Sequence, residues 1–102
     1  MYAITFDIDT DALRANYHNT SFNNAYKEIK RVLVDEFGFT WQQGSVYFGS
    51  NEITPVTCSL AIQTLTNRFP WFSQSVRDLR MLRIEENNDL SGLLSEYQNP
   101  IG

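Results

Sequence analysis

One cysteine, one histidine and three prolines stand among 102 residues, and no apolar run extends beyond a few positions. A lone thiol excludes an internal disulfide and a thiolate metal cage, and it fits a reducing cytoplasm; Cys58 reads as a small buried hydrophobe. The lone imidazole, His18, excludes a two-histidine hydrolytic mechanism within one chain and reads as a solvated loop residue. Without a long apolar run there is no membrane span, and the alternating, soon acidic stretch from Met1 to Asp9 is unlike a signal peptide. A soluble, cytoplasmic protein with no membrane partner is expected. Positive charge is also scarce, with 8 basic against 12 acidic residues and a net charge of −4. The chain as a whole therefore has no long-range attraction for phosphate. Four of its 8 basic residues nevertheless fall between Arg68 and Arg83, which leaves a local patch open.

What is present is an ordinary folded composition, 42% hydrophobic and 20% charged, with a generous 14% of aromatic residues. The length suits a single domain over residues 1–102, with a tail from about residue 89 and no room for a second substrate or cofactor domain. Any site must then lie on the surface or between copies. A small domain buries a modest share of its surface, so spare aromatic residues favour a homodimer.

Tyr2, Ile4, Phe6 and Ile8 alternate with Ala3, Thr5, Asp7 and Asp9, the period of a strand. After an acidic turn and a polar stretch, Ala25, Ile29, Val32 and Phe37 recur near helical spacing, and Gly38 is placed as a stop, predicting a helix from about Ser21 to Phe37. Phe39 to Gln42 and Ser45 to Phe48 form two short β-prone runs around Gln43-Gly44, a hairpin. Thr54-Pro55 opens a second helix, striped by Leu60, Ala61, Leu65 and Phe69 and ended by Pro70. Trp71-Phe72 reads as packing. Val76 to Glu86 is the fourth strand, although Leu79, Met81, Leu82 and Ile84 do not alternate cleanly, which a bulge or a partly covered second face explains. A short helix over Leu90 to Glu96 and a loose end follow. The order β-α-β-β-α-β is the α+β, ferredoxin-like pattern, an antiparallel sheet with helices on one face and a C-terminal extension.

In that topology the first strand is central, and its C-terminal end meets the beginnings of the third and fourth. Asp7, Ser45 and Asp78 gather there, with Asp7 on the face not covered by helices. Neighbouring carboxylates do acid–base work or hold a divalent cation, so magnesium is the one cofactor left open. The plainer account is that Asp7 and Asp9 end a strand and cap the next turn, while Asp78 pairs with Arg77 or Arg80. Gly44-Ser45-Val46 is no nucleophile elbow, so Ser45 suits phosphate binding better than covalent catalysis. Arg77 and Arg80 can hold a phosphate backbone, and Tyr47 can stack a base; salt bridges and core packing are the competing roles.

Met1-Tyr2-Ala3-Ile4 through Phe6-Asp7, the run Trp41-Gln42-Gln43-Gly44-Ser45-Val46-Tyr47, and Pro70-Trp71-Phe72 with Ser75-Val76-Arg77-Asp78 resemble, in that order, the VapD family. The likeness spans nearly the whole chain and fades after Asp89; a local departure is the polar stretch His18-Asn19-Thr20-Ser21. The resemblance implies a ferredoxin-like homodimer akin to small CRISPR-associated nucleases, with endoribonuclease activity and, in some members, a toxin role restrained by a small antitoxin; single-stranded RNA is the expected substrate. It also implies that the residues tied to toxicity are Asp7, Ser45 and Asp78, the trio that topology brings to one sheet edge. On this reading Asp7 is a general base or metal ligand, Asp78 its acid or orienting partner, and Ser45 a phosphate contact. The rival is a non-catalytic dimeric adaptor using the open sheet face, which the acidic balance favours.

Overall fold

The computed structural model describes residues 1–18 and 21–98, so Asn19 and Thr20 of the polar stretch and the loose end past 98 lie outside the described residues. Strand β1 (Tyr2–Ile8) runs through the middle of a four-stranded antiparallel sheet of order β2-β3-β1-β4. Its partners are β3 (Val46–Phe48) on one side and β4 (Val76–Arg83) on the other, and β2 (Thr40–Gln43) forms the far edge. The expected α+β, ferredoxin-like arrangement, with the first strand between the third and the fourth, is therefore present.

Alternation along β1 divides the sheet. Ile4, Phe6 and Ile8 are buried toward the helices, where Phe6 lies parallel to Tyr47, ring centroids 6.1 Å apart, and edge-on to Phe72 at 6.0 Å. Ala3 points to the other side and is still fully buried, because its cross-strand partners Phe48 and Leu82 flank a side chain too small to reach past them. Leu13, Ile29, Leu33 and Leu65 complete the core from the helices.

The helices begin and end where local chemistry dictates. Asp9 caps α1 (Thr10–Asn16), its carboxylate accepting the Ala12 N–H at 2.9 Å. This short helix stands where the sequence suggests only an acidic turn. Helix α2 (Asn23–Lys30) continues through a widened, π-type stretch over Arg31–Glu36. Gly38, at φ +78°, closes it in the left-handed conformation, its N–H donating to the Val34 carbonyl at 3.1 Å. In α3 (Pro55–Arg68) Thr54 caps the Thr57 N–H at 3.3 Å and proline takes the first position. Pro70 ends that path and also starts α4 (Pro70–Ser75), a six-residue helix that buries Trp71 and Phe72.

Strand β4 does not alternate in burial because it is a sheet edge with both faces open: Leu79 and Met81 are exposed on the helix side and Leu82 on the other. Beyond it, every side chain from residue 85 to residue 95 is exposed, including Leu90, Leu93 and Leu94 near and in α5 (Gly92–Gln98). The radius of gyration, 16.5 Å, exceeds the roughly 13 Å of a compact 100-residue domain. Among the described residues no helix is long and apolar enough to cross a membrane.

Candidate functional site

Asp7 and Asp78 meet at the C-terminal end of β1, and the backbone of Ser45 lies beside them in the adjoining turn, paired with Phe6. Asp7 and Asp78 are direct partners across β1 and β4, with a register irregularity immediately after Asp7. On the other side the Phe6 N–H donates to the Ser45 carbonyl at 3.1 Å, which continues the β1–β3 register and sets the Gly44-Ser45 turn beside Asp7. Alternation puts both carboxylates on the face without helices, and both side chains are exposed.

Two like charges so paired repel, and Arg80 supplies the compensation for one of them. Two residues along β4 on the same face, its Nε donates to both Asp78 oxygens, at 2.9 and 3.2 Å. The hydrogen bond to Asp78 raises the arginine above its ordinary value. Arg77 is engaged elsewhere: its Nε and Nη2 donate to Asp9 Oδ2 at 3.0 and 2.8 Å. The Asp9 carboxyl is held below its usual range, first by the Ala12 N–H and then by Arg77. Arg68 forms a two-pronged ion pair with Glu36, and Arg83 lies 3.3 Å from Glu85. All four arginines of the Arg68–Arg83 patch thus face carboxylates, and Arg77 and Arg80 are bound at opposite ends of the carboxylate cluster. Tyr47 is 2% exposed, and burial pushes its phenol up to about 12.

Among the described residues four cationic side chains have no carboxylate partner: Arg14 on α1, whose guanidinium lies 5.0 Å from the Phe22 ring centroid, and three on α2 and its continuation. Lys27, Lys30 and Arg31 recur three and four places apart on one helix face, a signal legible in the sequence yet overshadowed there by the C-terminal arginines. Lys27 and Lys30 border a cleft of about 240 Å³ between α2 and the hairpin, lined by Tyr26, Lys27, Lys30, Trp41, Gly44 and Tyr47; Arg31 lies in the adjoining hollow with Asp35. The Trp41 indole is fixed there, its Nε1 donating to the Gly44 carbonyl at 2.9 Å, with Lys30 Nζ 4.2 Å above the ring. Tyr26 links cleft and carboxylates: its phenol is raised first by burial and then by the charge of Asp7.

His18 is exposed, its ring 4.5 Å from that of Tyr17, and stands apart from this cluster in the sequence and in its contacts. Cys58 is 3% exposed and burial pushes its thiol up, as a small core hydrophobe requires. No three His, Cys, Asp or Glu side chains form a cation cage among the described residues. Asp7 and Asp78 offer two carboxylates, a donor set that fits magnesium when substrate phosphate completes the shell, provided that Asp78 leaves Arg80.

No protein-family model matches the chain. Curated relatives do match it, nearly end to end. Over 95 residues it is 52% identical to Endoribonuclease VapD 2 of Riemerella anatipestifer, covering 93% of this chain and 100% of the relative. Over 90 residues it is 50% identical to an Endoribonuclease VapD homolog of Helicobacter pylori, covering 88% of this chain and 92% of the relative. The Endoribonuclease VapD of Dichelobacter nodosus is 40% identical over 94 residues, 92% of this chain and 97% of that one.

Proposed function

The chain belongs to the VapD family, and from that premise we propose that it is a cytoplasmic endoribonuclease cutting single-stranded RNA at the Asp7–Asp78 edge, with Ser45 as a phosphate contact. The observation that carries the reading is the direct pairing of two exposed carboxylates beside the Gly44-Ser45 turn. Nothing about folding favours two facing negative charges, whereas proton transfer at a phosphodiester needs a carboxylate in reach.

Asp7, the carboxylate without an arginine, accepts the proton of the attacking hydroxyl. Its oxygen then bonds to phosphorus, the bond to the leaving 5′-oxygen breaks, and that oxygen takes up a proton from solvent or from the protonated Asp7. Asp78, with both oxygens on Arg80, orients the site and keeps the guanidinium where negative charge grows. A magnesium ion held by Asp7 and Asp78 would add Lewis acidity at the phosphate oxygens.

A homodimer is part of the reading. Its support is the exposed edge strand β4 with Leu79, Met81 and Leu82, together with Leu90, Leu93 and Leu94 of the arm that follows. A toxin-type role restrained by a small antitoxin is its cellular counterpart, supported by family membership.

The test is the chemistry of the product ends. Purified protein is given labelled single-stranded RNA in magnesium or in chelator. A 2′,3′-cyclic phosphate formed in both conditions establishes attack by the neighbouring 2′-hydroxyl, and a 3′-hydroxyl formed only with magnesium establishes attack by water. Intact RNA under every condition removes the reading in favour of a dimeric adaptor.

A further inference from the structure

Positive charge in this molecule is unevenly committed. The four arginines between Arg68 and Arg83 each face a carboxylate, whereas Lys27, Lys30 and Arg31 have none among the described residues. In a chain of net charge −4, three cations on one helix face, with Asp35 in the same hollow, make a local field opposite in sign to the whole. Lys27 and Lys30 line a cleft, with Arg31 in the hollow next to it, and the cleft's wall is an indole the core does not use: Trp41 is 43% exposed and lies on the edge strand β2.

That indole is held ready for a flat partner. The Nε1–Gly44 hydrogen bond fixes its plane, and Lys30 Nζ above the ring shows that the face is open to a cation or a π-system. A stacked base is worth more than a cation–π contact at an exposed position, and lysine's flexible stem lets the ammonium move aside to a phosphate. The volume of about 240 Å³ falls short of the roughly 300–1,000 Å³ of sites for drug-sized ligands, which suits a single base open to solvent.

The cleft lies on the helix-covered side of the sheet and shares one turn with the carboxylates on the other side. Gly44, which lines it, precedes Ser45, and the register carried on by the Phe6–Ser45 bond sets Gly44 across from Asp7. Tyr26 lines the cleft and feels the charge of Asp7. An RNA strand with its scissile phosphate at Asp7 would pass round the Gly44 turn to bring a neighbouring nucleotide to Trp41.

We infer that the cleft between α2 and the β2–β3 turn is a subsite for the nucleotide flanking the cut in single-stranded RNA. Trp41 stacks the base, and Lys27, Lys30 and Arg31 hold the adjoining phosphate. The inference rests on the endoribonuclease reading for the identity of the ligand, and its test separates the two.

Two measurements are made on the full chain. One is steady-state cleavage of a labelled single-stranded RNA at several salt concentrations. The other is binding of a fluorophore-labelled, uncleavable 2′-O-methyl hexanucleotide in chelator, read by anisotropy for every variant and also by tryptophan quenching where Trp41 is present; Trp71 is 5% exposed, so the quenching belongs to Trp41. The Lys27→Gln, Arg31→Gln pair, both exposed positions, is expected to raise KM and the hexamer Kd about tenfold, with kcat within about twofold and a salt slope smaller by about one to two. Trp41→Ala is expected to raise both constants by about 5- to 100-fold, with Trp41→Phe restoring most of the loss. If Trp41→Ala fails to fold, the Lys27, Arg31 pair decides the matter alone. Cleavage with unchanged KM and Kd in the variants, and no quenching, overturns the subsite and leaves the nuclease reading standing. Hexamer binding with these dependences but no cleavage by the parent protein overturns the nuclease reading and keeps the subsite.

Discussion

Asp7 and Asp78 face each other as direct partners across β1 and β4, and Arg80 clasps only the second. Like charges in that relation weaken a sheet by a few tenths to about 1 kcal/mol. Asp7→Asn is therefore expected to raise the unfolding free energy by about 0.5 kcal/mol at low ionic strength, a gain that shrinks in high salt. Denaturant titrations at two salt concentrations check this. A variant less stable than its parent would show that the carboxylate serves folding.

Arg80→Gln has the opposite sign, because it leaves Asp78 unscreened opposite Asp7. The pair is largely exposed and screened by solvent, so the expected loss is small. In the double variant with Asp7→Asn most of that loss disappears, since the repulsion Arg80 relieves is gone. Strictly additive effects would contradict the coupling.

Acid sensitivity follows from Asp9. Its folded value lies below the ordinary 3.8, through the Ala12 N–H and Arg77. The unfolded chain binds this proton at higher pH than the folded one, so the stability that Asp9 contributes is fully present above about pH 4 and is lost as pH falls through the folded value. Asp9→Asn is expected to flatten the fall in thermal midpoint between about pH 4 and pH 2. An unchanged acid limb would assign the loss to other carboxylates, Glu36 first among them, since Arg68 lowers it in the same way.

Ser75 is fully buried, and its hydroxyl has no hydrogen-bond partner among the described residues while its carbonyl accepts the Asp9 N–H at 2.9 Å. An unpaired buried hydroxyl costs about 1–3 kcal/mol on protein scales. Ser75→Ala keeps the backbone bond and should stabilise the protein by about 1 kcal/mol, read by chemical denaturation. A clear loss instead would reveal a water satisfying the hydroxyl.

The strands, the hairpin and both long helices are legible because strong local signals agree with tertiary packing: period-two burial in β1, a Thr54-Pro55 start, a Gly38 stop. The short helices are not. Helix α1 buries only Leu13 and is fixed by a cap that reads equally well as a turn, and Pro70 both ends one helix and begins the next. Strand β4 escapes alternation because neither of its faces is covered. Topology alone brings Asp7, Ser45 and Asp78 to one edge. What the sequence conceals is which cations are already spent on carboxylates, since the pairs Arg77–Asp9 and Arg68–Glu36 join residues far apart in the chain. For that reason the arginines draw attention that the α2 cations merit more.

Cleavage of a labelled single-stranded RNA by the parent protein and by Asp7→Asn, at equal concentration and after both are shown to be folded, tests the central claim most directly. The account predicts cleavage by the parent and none by the variant, with hexamer binding retained in both. Equal cleavage by the two proteins would contradict it and remove Asp7 from the chemistry.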